Sequence, residues 1–175
     1  MSQLSFHSPV GDLTISEEDG EIVSVDWGWS PISQAGVPLL EEAKRQIEEY
    51  FAGKRQDFDL PLLAQGTEFQ RRVWSAMAKI PYGETLTYGQ LAKQVRSGPR
   101  AIGGACGRNP IPIVIPCHRV VGAAGLTGYS GEGWLDTKKF LLDLECCAGS
   151  LAHVVSSRHC GGGQVAGGDA RRGTN

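Results

Sequence analysis

The chain has 175 residues, of which 41% are apolar and 21% charged, and a net charge of −2, which suits one ordinary globular domain or two small ones sharing a core. It has no run of about 18 apolar residues and so no transmembrane helix; no basic segment leads into an apolar one at the N-terminus, so the expected location is cytoplasmic, or nuclear in a eukaryote. Its five cysteines, Cys106, Cys117, Cys146, Cys147 and Cys160, are odd in number, which speaks against a disulfide framework and for one important thiol among inert ones.

Leu4-Ser5-Phe6, Leu13-Thr14-Ile15 and Ile22-Val23-Ser24-Val25 alternate as short strands, with turn residues at Ser8-Pro9, Gly11-Asp12 and Asp19-Gly20 between them. Leu40, Ala43, Ile47, Tyr50 and Phe51 recur at helical spacing until Gly53. Residues 57–65, with Pro61, read as an irregular link, so a first domain is expected over 1–65 and a second over 66–146. Thr67-Glu68-Phe69-Gln70 is a capping box, followed by the stripe Phe69, Val73, Met77 and Ile80, and Pro81-Tyr82-Gly83 ends that helix. Thr87-Tyr88-Gly89-Gln90 repeats the cap, and Leu91, Ala92 and Val95 carry the next helix to Ser97-Gly98.

Pro99 suits the first position of a third helix, running to about Gly107, and the pair has the outline of a helix-turn-helix. Pro99-Arg100-Ala101-Ile102-Gly103-Gly104-Ala105-Cys106 is almost bare of side chains. Each glycine costs about 1 kcal/mol in a helix, so the backbone either packs tightly in the core or approaches something closely. Composition alone favours the core. Charge adds a second hint. Residues 1–65 hold twelve acidic against four basic side chains, whereas no acidic residue lies between Glu84 and Glu132, where Lys93, Arg96, Arg100, Arg108 and Arg119 fall. A polyanion would be drawn to that stretch.

Past Pro110 and Pro112, Ile113-Val114-Ile115 reads as a short buried strand leading into Pro116-Cys117-His118-Arg119-Val120. A neighbouring imidazole or guanidinium lowers a thiol pKa and can activate it as a nucleophile. Side chains adjacent on a strand point to opposite faces, so His118 would act on Cys117 through a water. By adjacency alone, a small buried Cys beside a satisfied core His is the commoner arrangement. Five glycines follow between Gly122 and Gly133; Asp136 could cap a last helix with Phe140, Leu141 and Leu144 facing inward. From Cys146 the composition turns rich in Gly, Ala and Ser, and 147–175 reads as a disordered tail.

The string Pro116-Cys117-His118-Arg119-Val120, preceded by Gly103-Gly104-Ala105 and Asn109-Pro110, resembles the O6-alkylguanine-DNA alkyltransferase family. The likeness covers roughly residues 67–145 and includes Tyr88, Arg100 and Tyr129-Ser130-Gly131. It implies an α+β fold: an RNase H-like sheet-and-helix domain, then a mostly helical, winged-helix-like domain carrying the helix-turn-helix. It implies irreversible transfer of an alkyl group from guanine O6, or from O4-alkylthymine, to Cys117. His118 would be the base, Glu145 the acid that polarises it and Tyr88 the donor to the leaving guanine. Asn109, Pro112, Val120, Tyr129, Ser130 and Gly131 would shape the pocket.

The target atom lies within the duplex, so the base must be flipped out. By the same resemblance Arg100 fills the gap left in the stack, and Ala101, Gly103, Gly104 and Arg108 lie along the minor groove of double-stranded DNA. That reverses the preference for core packing. No cofactor and no metal are implied, and the protein is expected to act as a monomer. Residues 1–65 lack cysteine and hold only His7, so the N-terminal zinc site of some relatives is absent. The spacing of Cys146, Cys147, His153, His159 and Cys160 fits no zinc template. The loop 132–136 reads as slightly longer than usual. Two other readings remain open from sequence: a lesion-binding protein that flags damage without repairing it, for which family members carry Trp in place of Cys117, and a Cys-His hydrolase, which would need an oxyanion hole.

Overall fold

A computed structural model of the chain describes residues 1–125 and 134–149, with only the backbone at 134 and 147–149. Strands β1 (Ser2–Ser8), β2 (Gly11–Glu18) and β3 (Glu21–Trp27) form an antiparallel sheet in that order. At the second hairpin Asp19 and Gly20 have φ of 51° and 81°, the paired positive values that a tight two-residue turn requires. The register sets Leu4 against Ile15 and Ile15 against Val25, placing all three buried side chains on one face. Helix α1 (Pro38–Phe51) covers that face with Leu40, Ala43, Ile47 and Tyr50. Burying each of these larger side chains stabilises the unit by about 1.5–3 kcal/mol.

The link over 57–65 is more ordered than its composition suggests. Gln46 of α1 holds it by donating to the Asp59 carbonyl at 3.0 Å and accepting from the Asp59 N–H at 2.9 Å. The Ile22 N–H bonds Pro61 and the Leu63 N–H bonds Ile22, at 2.8 and 2.9 Å, so the link lies along β3 as a strand would. Pro61 concealed this, because a proline supplies an acceptor but no donor.

The second unit comprises α2 (Glu68–Met77), β4 (Leu86–Thr87), α3 (Tyr88–Val95), α4 (Pro99–Cys106), β5 (Val120–Val121) and α5 (Trp134–Gly149), with β4 and β5 paired in parallel. The expected capping boxes form reciprocally at Thr67/Gln70 and Thr87/Gln90. Helix α3 stops earlier than its sequence suggests. Arg96 turns left-handed (φ 55°), and the Ser97 N–H bonds the Ala92 carbonyl at 2.9 Å. Pro99 then opens α4, and the Trp74 indole of α2 donates to the Ala105 carbonyl at 2.9 Å, fixing α4 from behind.

Five expectations are corrected. Residues 113–115 are buried but form no strand: Ile113 has φ 74°, and the Ile115 N–H bonds the Ile111 carbonyl at 2.9 Å. Pro110, Pro112 and Pro116 remove the donors that a ladder needs. Asp136 lies inside the first turn of α5, which starts at Trp134, and so interacts with the helix dipole instead of capping it. The same start makes 134–136 helix and not loop. Phe140 is 39% exposed although Leu141 is buried. Helix α5 continues through Gly149, so the change of composition at Cys146 does not end it. Tyr129, Ser130 and Gly131, and the rest of the expected tail over 150–175, lie outside the described residues.

Candidate active site

A proline-rich turn positions Cys117. The Asn109 side chain braces it, donating from Nδ2 to the Ile115 carbonyl at 2.8 Å and accepting the Ile111 N–H on Oδ1 at 3.1 Å. The Val25 N–H of β3 bonds the Pro110 carbonyl at 2.9 Å, tying the sheet to the same turn. The Cys117 N–H bonds the Ile115 carbonyl at 2.8 Å, and Cys117–Arg119 forms one turn of 3-10 helix. Cys117 and His118 are therefore consecutive on a tight turn and do not alternate across a strand. Cys117, His118 and Arg119 are all buried.

Glu145 of α5 is the hub of this cluster and is fully buried. Its Oε1 accepts His118 Nε2 at 2.8 Å, the Tyr50 hydroxyl at 2.7 Å and Arg119 Nη2 at 2.9 Å. Its Oε2 accepts Arg119 Nε and the Gly83 N–H, each at 3.0 Å. Gly83 has φ 77°, a conformation that favours glycine and turns this N–H onto the carboxylate. Burial pushes the Glu145 carboxyl up, but the hydrogen bonds from His118 and Arg119 outweigh it and hold the group at about 2. Arg119 matches that charge and spends Nη1 on the Ile80 carbonyl at 2.6 Å.

With Nε2 directed at Glu145, His118 keeps Nδ1 as its second nitrogen, buried and without a hydrogen-bond partner among the described residues. Donation from Nε2–H to a carboxylate selects the tautomer whose Nδ1 carries a lone pair. Burial lowers the His118 pKa, with Glu145 opposing. Burial raises the Cys117 thiol, with Asn109 and Lys138 opposing. The resting pair is therefore a neutral thiol and a neutral imidazole, and the imidazole is the base available to the thiol.

Tyr88 begins α3 and is half-buried. Burial, reinforced by Cys106 and Cys117, pushes its phenol to about 12, so it is a hydrogen-bond donor at neutral pH. Lys138 of α5 spans this side of the site. Its ammonium lies 5.7 Å from the centre of the Tyr88 ring and donates to the Val120 carbonyl at 2.6 Å. Burial lowers its pKa, while Cys117 and Cys106 act the other way.

Helix α4 shows its bare side outward. Arg100, Ala101, Gly104 and Arg108 are exposed and Gly103 is half-buried. A β-carbon at Gly103 would meet nothing within 4 Å, and one at Gly104 would meet only Arg108 Nη1 at an ordinary 3.6 Å. Nothing among the described residues requires these two glycines, which removes the core-packing explanation.

The sequence-derived set Cys117, His118, Glu145, Asn109, Pro112 and Val120 converges on one site beside Tyr88, while Arg100, Ala101, Gly103 and Gly104 share the neighbouring helix and Arg108 lies just past its end. Four contributors were missed. Arg119 was part of the motif but had no role; a guanidinium inside an apolar run needs an acid, and that was its signal. Gly83 and Lys138 carry weaker signals, a glycine after a helix stop and a cation on an apolar helix. Tyr50 carries none, since it falls on the core stripe of α1.

The family model for the "6-O-methylguanine DNA methyltransferase, ribonuclease-like domain" matches residues 3–64, and its DNA-binding counterpart matches residues 68–147. The methylated-DNA–protein-cysteine methyltransferase of Methanosarcina acetivorans is 44% identical over 154 residues, covering 80% of this chain and 95% of the relative. The constitutive enzyme of that name from Bacillus subtilis is 44% identical over 151 residues, 79% of this chain and 91% of the relative. Among solved structures, the Mycobacterium tuberculosis O6-methylguanine methyltransferase superposes with a TM-score of 0.73 at 38% identity, covering 84% of this chain and 93% of that one. The same organism's protein in complex with DNA gives 0.74 at 39% identity, over 85% and 94%. Two domain matches in order, with relatives that align over four-fifths of its length, establish that the chain belongs to the methylated-DNA–protein-cysteine methyltransferase (O6-alkylguanine-DNA alkyltransferase) family.

Proposed function

We propose that the protein repairs DNA by moving the alkyl group of O6-alkylguanine onto Cys117, once per molecule. The observation that carries this reading is the buried Glu145–His118 hydrogen bond, 2.8 Å long, on the turn that holds the Cys117 thiol. Glu145 holds the proton on Nε2, and Nδ1 takes the thiol proton. The sulfur lone pair then forms the S–C bond as the C–O6 bond breaks. The electron pair released to guanine is neutralised by a proton offered from Tyr88, which makes the base a better leaving group. The product is a thioether, which water does not cleave, so the site is consumed.

The reacting atom is reached only if the base leaves the stack. Helix α4 is suited to bringing this about, because the minor groove is about 6 Å wide, the face over Gly103 is open, and that over Gly104 carries only the Arg108 guanidinium, itself suited to a phosphate. Arg100, exposed at the start of α4, would occupy the vacated place in double-stranded DNA, and Arg108 would meet the backbone. Such contacts position the protein without reading sequence. Pro112 and Val120, with Tyr129, Ser130 and Gly131, would frame the base. The protein would act as a monomer, without cofactor, in a reducing compartment such as the cytoplasm that keeps Cys117 a thiol.

Incubation with an oligonucleotide carrying O6-methylguanine, followed by intact and peptide mass measurement, tests this. One added CH2, on the peptide containing Cys117 and limited to one equivalent, is the expected result. Lesion binding with no mass change would overturn it in favour of a protein that only flags damage.

A further inference from the structure

Among the described residues, the N-terminal sheet walls a pair of cavities that adjoin Cys117. The smaller, about 20 Å³, is bounded by Pro112, Ile113, Cys117, Lys138, Leu141 and, from the end of β3, Trp27. The larger, about 130 Å³, is bounded by Trp27, Cys106, Asn109, Pro112 and Cys117, with the neighbouring β3 residues Val25 and Asp26. Trp27, Pro112 and Cys117 line both. Pro112 belongs to the braced turn and Cys117 is the nucleophile. Trp27 is the largest of the three side chains, so its truncation would widen both spaces most. It is half-buried, and the bond from the Val25 N–H to the Pro110 carbonyl, 2.9 Å, fixes its strand against the turn.

A water-sized group needs roughly 10–15 Å³. The smaller cavity therefore holds one methyl-sized group beside Cys117 and little more. In the transfer reaction the carbon under attack must lie next to the sulfur, so whatever the alkyl group carries beyond that carbon must find room among these walls. A methyl needs none. A benzyl group brings a whole ring. Resting on the transfer reaction above, we propose that Trp27 of the ribonuclease-like domain sets the size limit of the alkyl group that Cys117 accepts. The N-terminal unit then takes part in substrate choice, although the acceptor and its base belong to the other unit.

The test compares single-turnover alkylation of Cys117 in the full chain by oligonucleotides carrying O6-methylguanine or O6-benzylguanine. Discrimination by one methylene in an apolar pocket is worth about 10–200-fold. Trp27→Ala should raise the benzyl-to-methyl rate ratio at least about tenfold, and Trp27→Phe should raise it less. A ratio that does not move, or two rates that fall in step, would show that Trp27 only props the turn and would overturn the proposal. Melting curves followed by circular dichroism confirm folding. If Trp27→Ala does not fold, the smaller rise in Trp27→Phe decides. Failure of the unsubstituted protein to accept either group is a different result, and it removes the transfer reading itself.

Discussion

The two halves of the molecule differ in how they meet the site. In the C-terminal unit the chemistry is local: Cys117, His118 and Arg119 share one turn, and Glu145 follows on the next helix. In the N-terminal unit no residue carries a motif, yet Tyr50 hydrogen-bonds Glu145 from 95 positions away and Trp27 walls the cavities beside Cys117. The charges differ as well, with twelve acidic against four basic residues over 1–65. In the proposed reaction one unit supplies the reacting groups and the face turned to DNA, while the other sets how those groups are held. If that division is right, substitutions in the first should cost orders of magnitude and those in the second should tune.

The largest effect belongs to Cys117. Cys117→Ala should abolish acceptance of the alkyl group, read as complete loss of the mass shift, while binding to a lesion-bearing duplex persists, because α4 and its arginines are untouched. Any remaining transfer, to Cys106 or elsewhere, would break the assignment.

Next is the relay. His118→Ala should lower the single-turnover rate by about 10²–10⁴-fold, the usual contribution of a positioned base. In the unsubstituted protein the rate should be level above pH 6.5, the ordinary value from which burial lowers His118, and fall only at lower pH as the base is protonated. Glu145→Gln should slow transfer too and should destabilise the fold by about 3–5 kcal/mol, since Arg119 is left as a buried charge without its partner. Glu145 sits below its ordinary 4.5 at about 2. Its contribution to stability is full above pH 4.5 and is lost as pH falls towards 2. Denaturant titrations across that window should show a loss in the unsubstituted protein that is smaller in Glu145→Gln.

The bare helix gives a prediction with two signs. Gly103→Ala meets open space, so it should stabilise the chain by up to about 1 kcal/mol through helix propensity. The same added methyl should weaken binding to lesion-bearing duplex several-fold, read as a higher Kd at fixed salt. Arg100→Ala should weaken it further. A Gly103→Ala protein that gains stability and loses no affinity would mean that α4 does not approach DNA at Gly103.

What the sequence disclosed follows the same division. Capping boxes at Thr67 and Thr87, the β-hairpins and the stripe of α1 were legible because each depends on residues within one or two turns of one another. Cys117 and His118 were legible as candidates only through the family resemblance of the contiguous string around them, since adjacency alone favours an ordinary buried pair. The turn over residues 113–115 was not, since an apolar run looks alike in a strand and in a buried turn; the three prolines around it were the available clue. Tyr50 was least legible of all. It falls on an apolar stripe, and only the packing of α1 against α5 turns a core tyrosine into a donor to the relay.

Tyr50→Phe is therefore the finest test of the comparison and should have the smallest effect. The hydroxyl donates to Glu145 Oε1 at 2.7 Å, the oxygen that also accepts His118 Nε2 at 2.8 Å. Burial and then the Glu145 charge raise the Tyr50 pKa, so it remains a donor across the working range. Its removal leaves the shape of the core intact and takes one of the donors from Oε1. The charge there is then less dispersed, and it favours the protonated imidazole more strongly. The acid limb of the rate profile should move to higher pH, with a rate change of only a few-fold near neutrality. A tyrosine that merely filled space would lower the melting temperature without moving that limb, and the N-terminal unit would then be a support and not part of the relay.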